Sequence, residues 1–180
     1  MTDPAALLII DVQVNMFAGG SSVFEGEKLL RTIGGLIAQA RAAHLPIVYV
    51  QNNGGEGDPD RPGTPGWQIH PAVTPEKGDI VIQKHTPDSF HETDLQSKLE
   101  ARRIRRLIIA GMQTEMCIDA TCRRARELGY EVTLVQDAHS TFDGDGLTAS
   151  QIIAQYNEAL RAVVKVEQAS SVTSTIWRTR

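Results

Sequence analysis

The stretch RLIIAGMQTEMCIDATCRRARELGYEVTLV, residues 106–135, decides the fold, because its pattern is that of a strand, a helix and a second strand. Apolar runs of strand length, Arg106–Ala110 and Glu131–Val135, flank a helical pattern over Glu115–Leu128 that Gly129 ends. Both strands are almost continuously apolar, which is typical of strands covered on both faces of a parallel sheet. The segment therefore predicts a βαβ unit with a right-handed crossover.

The same alternation of strand and helix runs along the rest of the chain. Further strands are predicted at Ala5–Ile10, Pro46–Val50, Asp79–Gln83 and Ala162–Val166. Further helices are predicted at Glu27–Ala43, Glu92–Arg102 and Leu147–Leu160. We therefore expect an α/β protein with a three-layer α/β/α Rossmann-like fold and a six-stranded parallel sheet, formed by a single domain over residues 1–180.

Composition narrows the class of protein. Of the 180 residues, 41% are hydrophobic and 22% are charged, which is typical of a globular chain. The net charge of -4 argues against a nucleic-acid partner, and no apolar run is long enough to span a membrane. The N-terminus does not have the pattern of a signal peptide. Because Cys117 and Cys122 stand five apart on one predicted helix, no disulfide is expected, and we predict a cytoplasmic protein.

An acid, an amine and a thiol are predicted at one edge of the sheet, where the carboxyl ends of the strands meet. Asp11 follows strand one, Lys84 follows strand three, and Cys117 lies in the first turn of the helix after strand four. A helix N-terminus and a nearby ammonium both favour a thiolate, so we expect a lowered thiol pKa. Each residue also has an ordinary interpretation: a turn aspartate, a solvated lysine, a small buried cysteine. Together they match a base, a charge stabiliser and a nucleophile.

Four further residues are candidates for substrate binding. Gln13 and Phe17 leave strand one at the same edge as the acid, and Phe90 follows strand three. Trp67 lies on the Gly- and Pro-rich segment Asn52–Lys77, which we expect to form an ordered lid or pocket wall. Core packing is an equal alternative for the two phenylalanines, and a subunit interface is the alternative for the tryptophan.

Three stretches of the chain resemble the isochorismatase-like cysteine hydrolases. They are LLIIDVQVNMF, the lysine in QKHTPDSF, and GMQTEMCIDATCRRARELGYEVTLVQDAHST, and the resemblance covers nearly the whole sequence. The group includes nicotinamidases, N-carbamoyl amidohydrolases, ureidoacrylate hydrolases and isochorismatases. The resemblance implies that Asp11 takes the proton of Cys117, that Lys84 stabilises the thiolate and the developing charge, and that Cys117 attacks a carbonyl carbon.

The resemblance also implies how the transition state is stabilised. In the family a non-proline cis peptide precedes the catalytic turn, and it maps here to Met112–Gln113. The backbone N–H groups of Gln113 and Cys117 would then form the oxyanion hole. If the Thr114 hydroxyl capped the helix, it would compete for one of the first N–H groups.

The sequence departs from some of these relatives. Family nicotinamidases carry a metal site on Asp-x-His after strand two, where this chain has Gln51-Asn52-Asn53, so neither a metal nor another cofactor is expected. Family members that cleave a vinyl ether lack the nucleophile, so Cys117 favours a C–N bond of a small molecule. We predict a cysteine amidohydrolase acting through an acyl-enzyme. The alternative is a non-catalytic small-molecule-binding or thiol-sensing protein on the same fold.

Assembly is predicted by resemblance alone. The family commonly forms dimers or larger assemblies, so we expect a homo-oligomer, either a dimer or a tetramer. The polar terminal segment Gln168–Arg180 carries Trp177, which we expect to pack on the domain or on a partner subunit.

Overall fold

A single parallel sheet of six strands organises the protein, in the order β3-β2-β1-β4-β5-β6. The computed structural model describes residues 4–18, 20 and 22–175, so Trp177 lies outside the described residues. The strands are β1 Ala5–Ile10, β2 Ile47–Asn52, β3 Ile80–Lys84, β4 Arg106–Met112, β5 Glu131–Ser140 and β6 Lys165–Glu167. The helices are α1 Gly26–Ala42, α2 Leu95–Ala101, α3 Asp119–Glu127, α4 Ala149–Leu160 and α5 Ala169–Thr175.

Helices cover both faces of the sheet, which confirms the predicted three-layer α/β/α fold. Successive side chains of β1 enter opposite layers: Leu8 and Ile10 pack with apolar residues of α2 and α3, whereas Leu7 and Ile9 pack with those of α1. Because both faces of the strand are buried, both sets of alternating positions must be apolar. This explains the continuous apolar runs in the sequence.

The boundaries of several elements differ from those predicted. The strands β4 and β5 run on to Met112 and Ser140, because their pairing continues past the predicted ends, through Gly111 and Met112 in β4 and through polar residues in β5. The sixth strand covers only Lys165–Glu167, since the chain first turns after α4. The helix predicted from Glu115 begins instead as a π-helical turn, Thr114–Ile118, before α3. The last helix, α5, was not predicted, because its sequence ASSVTST has no apolar periodicity.

The long segment after β2 is ordered against the ends of β1 and β2. The side-chain amides of Gln13 and Gln51 both donate to the backbone carbonyl of Trp67, over 3.0 and 2.8 Å. The Trp67 indole N–H donates to Asn53 Oδ1 over 2.8 Å. The segment is therefore fixed by hydrogen bonds to the sheet edge that carries the candidate site.

Two further expectations about the chain concern cysteine pairing and membrane spans. Cys117 and Cys122 are both free thiols, as their spacing predicted. Among the helices of the described ranges, none is both long enough and apolar enough to cross a bilayer.

Candidate active site

The structure brings Asp11, Lys84 and Cys117 together. The Lys84 Nζ lies 2.9 Å from Asp11 Oδ2 and 3.3 Å from Cys117 Sγ. Its third neighbour is Asn52 Oδ1, at 3.1 Å. The ammonium has three N–H groups, and each of them thus has an acceptor. Asp11 and Lys84 are each only 1% exposed, so the pair is shielded from water.

The strand order explains how residues so far apart in sequence meet. Lys84 ends the edge strand β3, and Asn52 stands beside it in register at the end of β2. Asp11 follows β1, the next strand, where it adopts a left-handed conformation with φ of 53°. Cys117 comes from the π-helical turn after β4, on the other side of β1.

Close approach of two backbones brings the ends of β1 and β4 together. Gly111 has φ of 128°, and a Cβ at this position would lie 2.0 Å from the carbonyl oxygen of Ile10. Only glycine fits both the conformation and the contact. Gly111 therefore allows the turn that carries Cys117 to begin directly beside the residue that precedes Asp11.

The charges of the buried pair support each other. Burial alone would lower the pKa of Lys84, but the Asp11 carboxylate and Cys117 outweigh it and hold this pKa above its ordinary value. Burial raises the pKa of Asp11 above 3.8 even though the Lys84 ammonium opposes the shift. A carboxylate with a raised pKa is a stronger base. Its Oδ1 is buried and has no hydrogen-bond partner among the residues described, so it can accept a proton.

The pKa of Cys117 does not follow the sequence-based expectation. Burial, and then the negative charge of Asp11, raise the pKa of this thiol to about 12, although Lys84 lowers it. The prediction of a lowered thiol pKa rests only on the helix terminus and the Lys84 ammonium. The structure adds desolvation and the neighbouring carboxylate, and these two effects dominate. At neutral pH the resting thiol therefore keeps its proton.

Alkylation kinetics should report this raised thiol pKa. Only the thiolate reacts, so iodoacetamide should label Cys117 at pH 7–8 at least about tenfold more slowly than the cysteine of an unstructured model peptide, whose pKa is about 8.5. Labelling should rise through pH 10. Cys122 is fully buried and should stay unlabelled while the protein is folded. Intact-mass measurement against pH checks this, and single-site labelling as fast as that of the model peptide would contradict it.

The start of the Cys117 turn is held by a buried hydrogen-bond chain. The Met112–Gln113 peptide bond is cis, as the family resemblance implies. The Thr114 hydroxyl lies 2.8 Å from His139 Nδ1, and His139 Nε2 lies 2.9 Å from Asn157 Oδ1. The N-cap position of this turn is Gln113, whose side chain makes no cap hydrogen bond, and the Thr114 hydroxyl is engaged by His139. Thr114 therefore anchors the turn to β5 and does not compete for its first N–H groups.

A cavity of about 300 Å³ opens above the candidate group. Asp11 and Cys117 both line it, together with Gln113. The remaining lining residues are Met16, Asn52, His85, Thr86, Pro87 and Met116. A cavity of this volume admits a small molecule. The thiol and the acid thus face a space in which a substrate can be held.

The four predicted substrate-binding residues lie elsewhere than in this lining. Phe90 is in the core, where its ring stacks on Tyr130 with centroids 5.8 Å apart. Phe17 packs on the other side of the sheet, with its ring 4.8 Å from that of His70. Gln13 and Trp67 hold the long segment in place through the hydrogen bonds described above. Sequence position alone could not separate substrate binding from core packing or from anchoring of the long segment. Three of the four residues follow a strand that ends near the site, and the fourth lies on the segment after β2.

The cavity lining includes residues that the sequence did not single out. Asn52 is not among the predicted site residues, yet its side chain contacts Lys84. Met16 and Met116 supply apolar surface, and Met116 is 48% exposed. The position of Asn52 at the end of β2 was the sequence signal that could have identified it as a site residue.

Within residues 4–18 and 22–175 no three His, Cys, Asp or Glu side chains are grouped as metal ligands would be.

Comparison with known proteins places the chain in a family. A family model described as the isochorismatase domain matches residues 5–168. Streptothricin hydrolase from Streptomyces noursei is 41% identical over 138 residues, which are 77% of this chain and 50% of that protein. Ureidoacrylate amidohydrolase from Methylorubrum extorquens is 30% identical over 173 residues, which cover 76% of this chain and 69% of that protein.

Solved structures agree with the sequence relatives. An isochorismatase from Pseudomonas putida superimposes with a TM-score of 0.89 at 29% identity, over 95% of this chain and 93% of that one. The chain spans about half the length of the streptothricin hydrolase that it matches. The fold, the length of the match and the identity lead to one conclusion: this chain belongs to the isochorismatase family.

Proposed function

We propose that the protein is a cysteine-dependent hydrolase that cleaves a C–N bond, of the amide or carbamoyl type, in a small molecule through a covalent acyl-enzyme. One observation carries the proposal. A buried Lys84 ammonium lies within hydrogen-bond distance of both Asp11 and Cys117, at the base of a cavity of about 300 Å³ that the acid and the thiol line. A base, a cation and a nucleophile in mutual contact are the parts that acyl transfer requires.

The first half of the proposed reaction forms the acyl-enzyme. The Cys117 Sγ attacks the carbonyl carbon while its proton passes to Asp11, and a C–S bond forms. The Lys84 ammonium stabilises the sulfur as it loses its proton. The carbonyl oxygen becomes an oxyanion that the N–H groups of Gln113 and Cys117 would bind. When the tetrahedral intermediate collapses, the C–N bond breaks and Asp11 gives its proton to the leaving nitrogen.

The second half of the reaction restores the thiol. A water molecule attacks the thioester carbon while Asp11 takes one of its protons. The C–S bond then breaks, the sulfur regains a proton from Asp11, and the acid product leaves. Because burial and the Asp11 charge raise the resting pKa of Cys117, the proposed mechanism places proton transfer to Asp11 in the same step as attack. The raised pKa of Asp11 makes that transfer easier.

The names of two relatives support hydrolysis, and one of the two names an amide bond as the target. One is called a streptothricin hydrolase and the other a ureidoacrylate amidohydrolase, and the shared sequence covers about three quarters of this chain in each case. The non-catalytic alternative predicts a pocket that binds small molecules without turnover. That alternative does not explain why Asp11, with a buried and unpaired Oδ1, lies next to the Cys117 thiol.

Trapping the acyl-enzyme tests the proposal. Wild-type protein is mixed with a panel of primary amides, N-carbamoyl amino acids and lactams, and the product and the intact mass are measured after acid quenching. We expect turnover of at least one class, with a mass increase of the acyl group on the peptide that carries Cys117. Binding of panel members without product or adduct would favour the binding or thiol-sensing alternative.

Assembly and location are further parts of the proposal. By likeness to the family we propose a homo-oligomer, a dimer or a tetramer, and a mass measurement by light scattering in solution tests it. We propose a cytoplasmic location because the two free thiols, Cys117 and Cys122, suit a reducing compartment. Fractionation of the producing cell would test the location.

A further inference from the structure

An acid outside the catalytic group lies buried beside it. Asp60, on the long segment between β2 and β3, is only 8% exposed. Its Oδ2 accepts a hydrogen bond of 2.7 Å from Asn52 Nδ2. No cationic side chain within the described ranges forms an ion pair with it. Burying a carboxylate without a cation costs free energy, so the burial of Asp60 indicates a structural or functional role.

The backbone around Asp60 holds its carboxylate in place. The Gly54 N–H donates to the Asp60 carbonyl over 3.0 Å. A Cβ at Gly54 would lie 2.1 Å from Asp60 Oδ1, so the carboxylate packs directly on this glycine. The carboxylate is therefore fixed from one side by the segment and from the other by Asn52.

Two neighbours together fix the orientation of the Asn52 amide. A carboxylate oxygen accepts, so the Asn52 NH₂ group must face Asp60. An ammonium only donates, so the Asn52 oxygen must face Lys84, as it does at 3.1 Å. The Asn52 backbone is also held, because its N–H and its carbonyl both bond to the Gln13 side chain, over 2.8 and 3.0 Å. The amide cannot flip without losing both side-chain contacts.

We propose that Asp60 is a positioning residue for the candidate catalytic group: through the Asn52 amide it holds the Lys84 ammonium between Asp11 and Cys117. The proposal rests on the proposed function for the role of Lys84. Of the three acceptors around Lys84, Asn52 is the one that neither loses nor gains a proton in the reaction. It therefore keeps the ammonium in place while the proton moves between the thiol and the acid.

A pair of variants separates this hydrogen bond from the charge of Asp60. Both Asp60→Ala and Asp60→Asn remove the charge, but only Asp60→Asn can still accept from the Asn52 NH₂ group. Because Lys84 favours the Cys117 thiolate, we expect iodoacetamide to label Asp60→Ala more slowly than Asp60→Asn, by roughly 3- to 10-fold, the effect of one hydrogen bond. Glu56→Ala removes an exposed acid from the same segment and should label like the wild type.

The same pair is then measured in an Asn52→Ala background. If Asp60 acts through Asn52, the difference between alanine and asparagine at position 60 should vanish there. Equal labelling of the two variants in the native background, or a difference that persists without Asn52, would overturn the proposal. Should Asp60→Ala fail to fold by thermal melting, Asp60→Ser replaces it, since its shorter side chain does not reach Asn52. Alkylation needs no substrate, so a failed hydrolase test would leave this result standing.

Discussion

Replacing Cys117 with serine is expected to lower turnover of any amide that the wild type cleaves by about 10³-fold or more, the scale seen when a hydrolase loses its nucleophile. A serine hydroxyl holds its proton far more tightly than a thiol does. Its attack would need a base stronger than a carboxylate, even one whose pKa is raised as that of Asp11 is. The substitution changes one atom, so the fold should persist.

Cys122→Ala is the matched control for the serine variant. This second cysteine is fully buried in the core, on α3 and in the same helical stretch. Its loss should lower the melting temperature slightly and leave turnover unchanged. Rates are compared with melting curves of both variants. Turnover of Cys117→Ser near the wild-type value would exclude the thiol as nucleophile and would sink the proposed mechanism.

The sequence was sufficient to predict the fold because the apolar runs are long and continuous. Leu7–Ile10 fill both faces of β1, and a strand buried on both faces has few alternatives. The alternation of strands and helices then left a parallel sheet as the only simple topology. The π-helical turn at Thr114–Ile118 escaped prediction, because its pattern continues that of α3 without a break.

The meeting of Asp11, Lys84 and Cys117 was also predictable, since the topology brings the ends of β1, β3 and β4 to one edge. The pKa of the thiol was not. It depends on how far Cys117 is desolvated and on its proximity to Asp11, and neither quantity is visible in the sequence. The contact of Asp60 with Asn52 depends on the path of an irregular segment, which local patterns do not determine.

Replacing Asp11 with asparagine should separate reactivity of the thiol from catalysis. Turnover should fall by about 10²- to 10⁴-fold, because no base remains to take and return the proton. Alkylation of Cys117 should become faster at pH 7–8 than in the wild type. Asp11 raises the thiol pKa and Lys84 lowers it, so removing the acid leaves the ammonium unopposed.

Replacing Lys84 with methionine should have the opposite effect on the alkylation of Cys117. It removes the charge that lowers the pKa of Cys117, so alkylation should become slower than in the wild type, and turnover should be lost as well. Asp79→Asn is the control for breaking an ion pair, because Asp79 contacts Arg41 over 2.9 Å. Asp79 lies just before the start of β3, whereas Lys84 lies at the other end of that strand. The control variant should change neither rate. Slower alkylation in Asp11→Asn would show that the acid supports the thiolate. The concerted proton transfer proposed here would then have to give way to a preformed thiolate that Asp11 and Lys84 stabilise together.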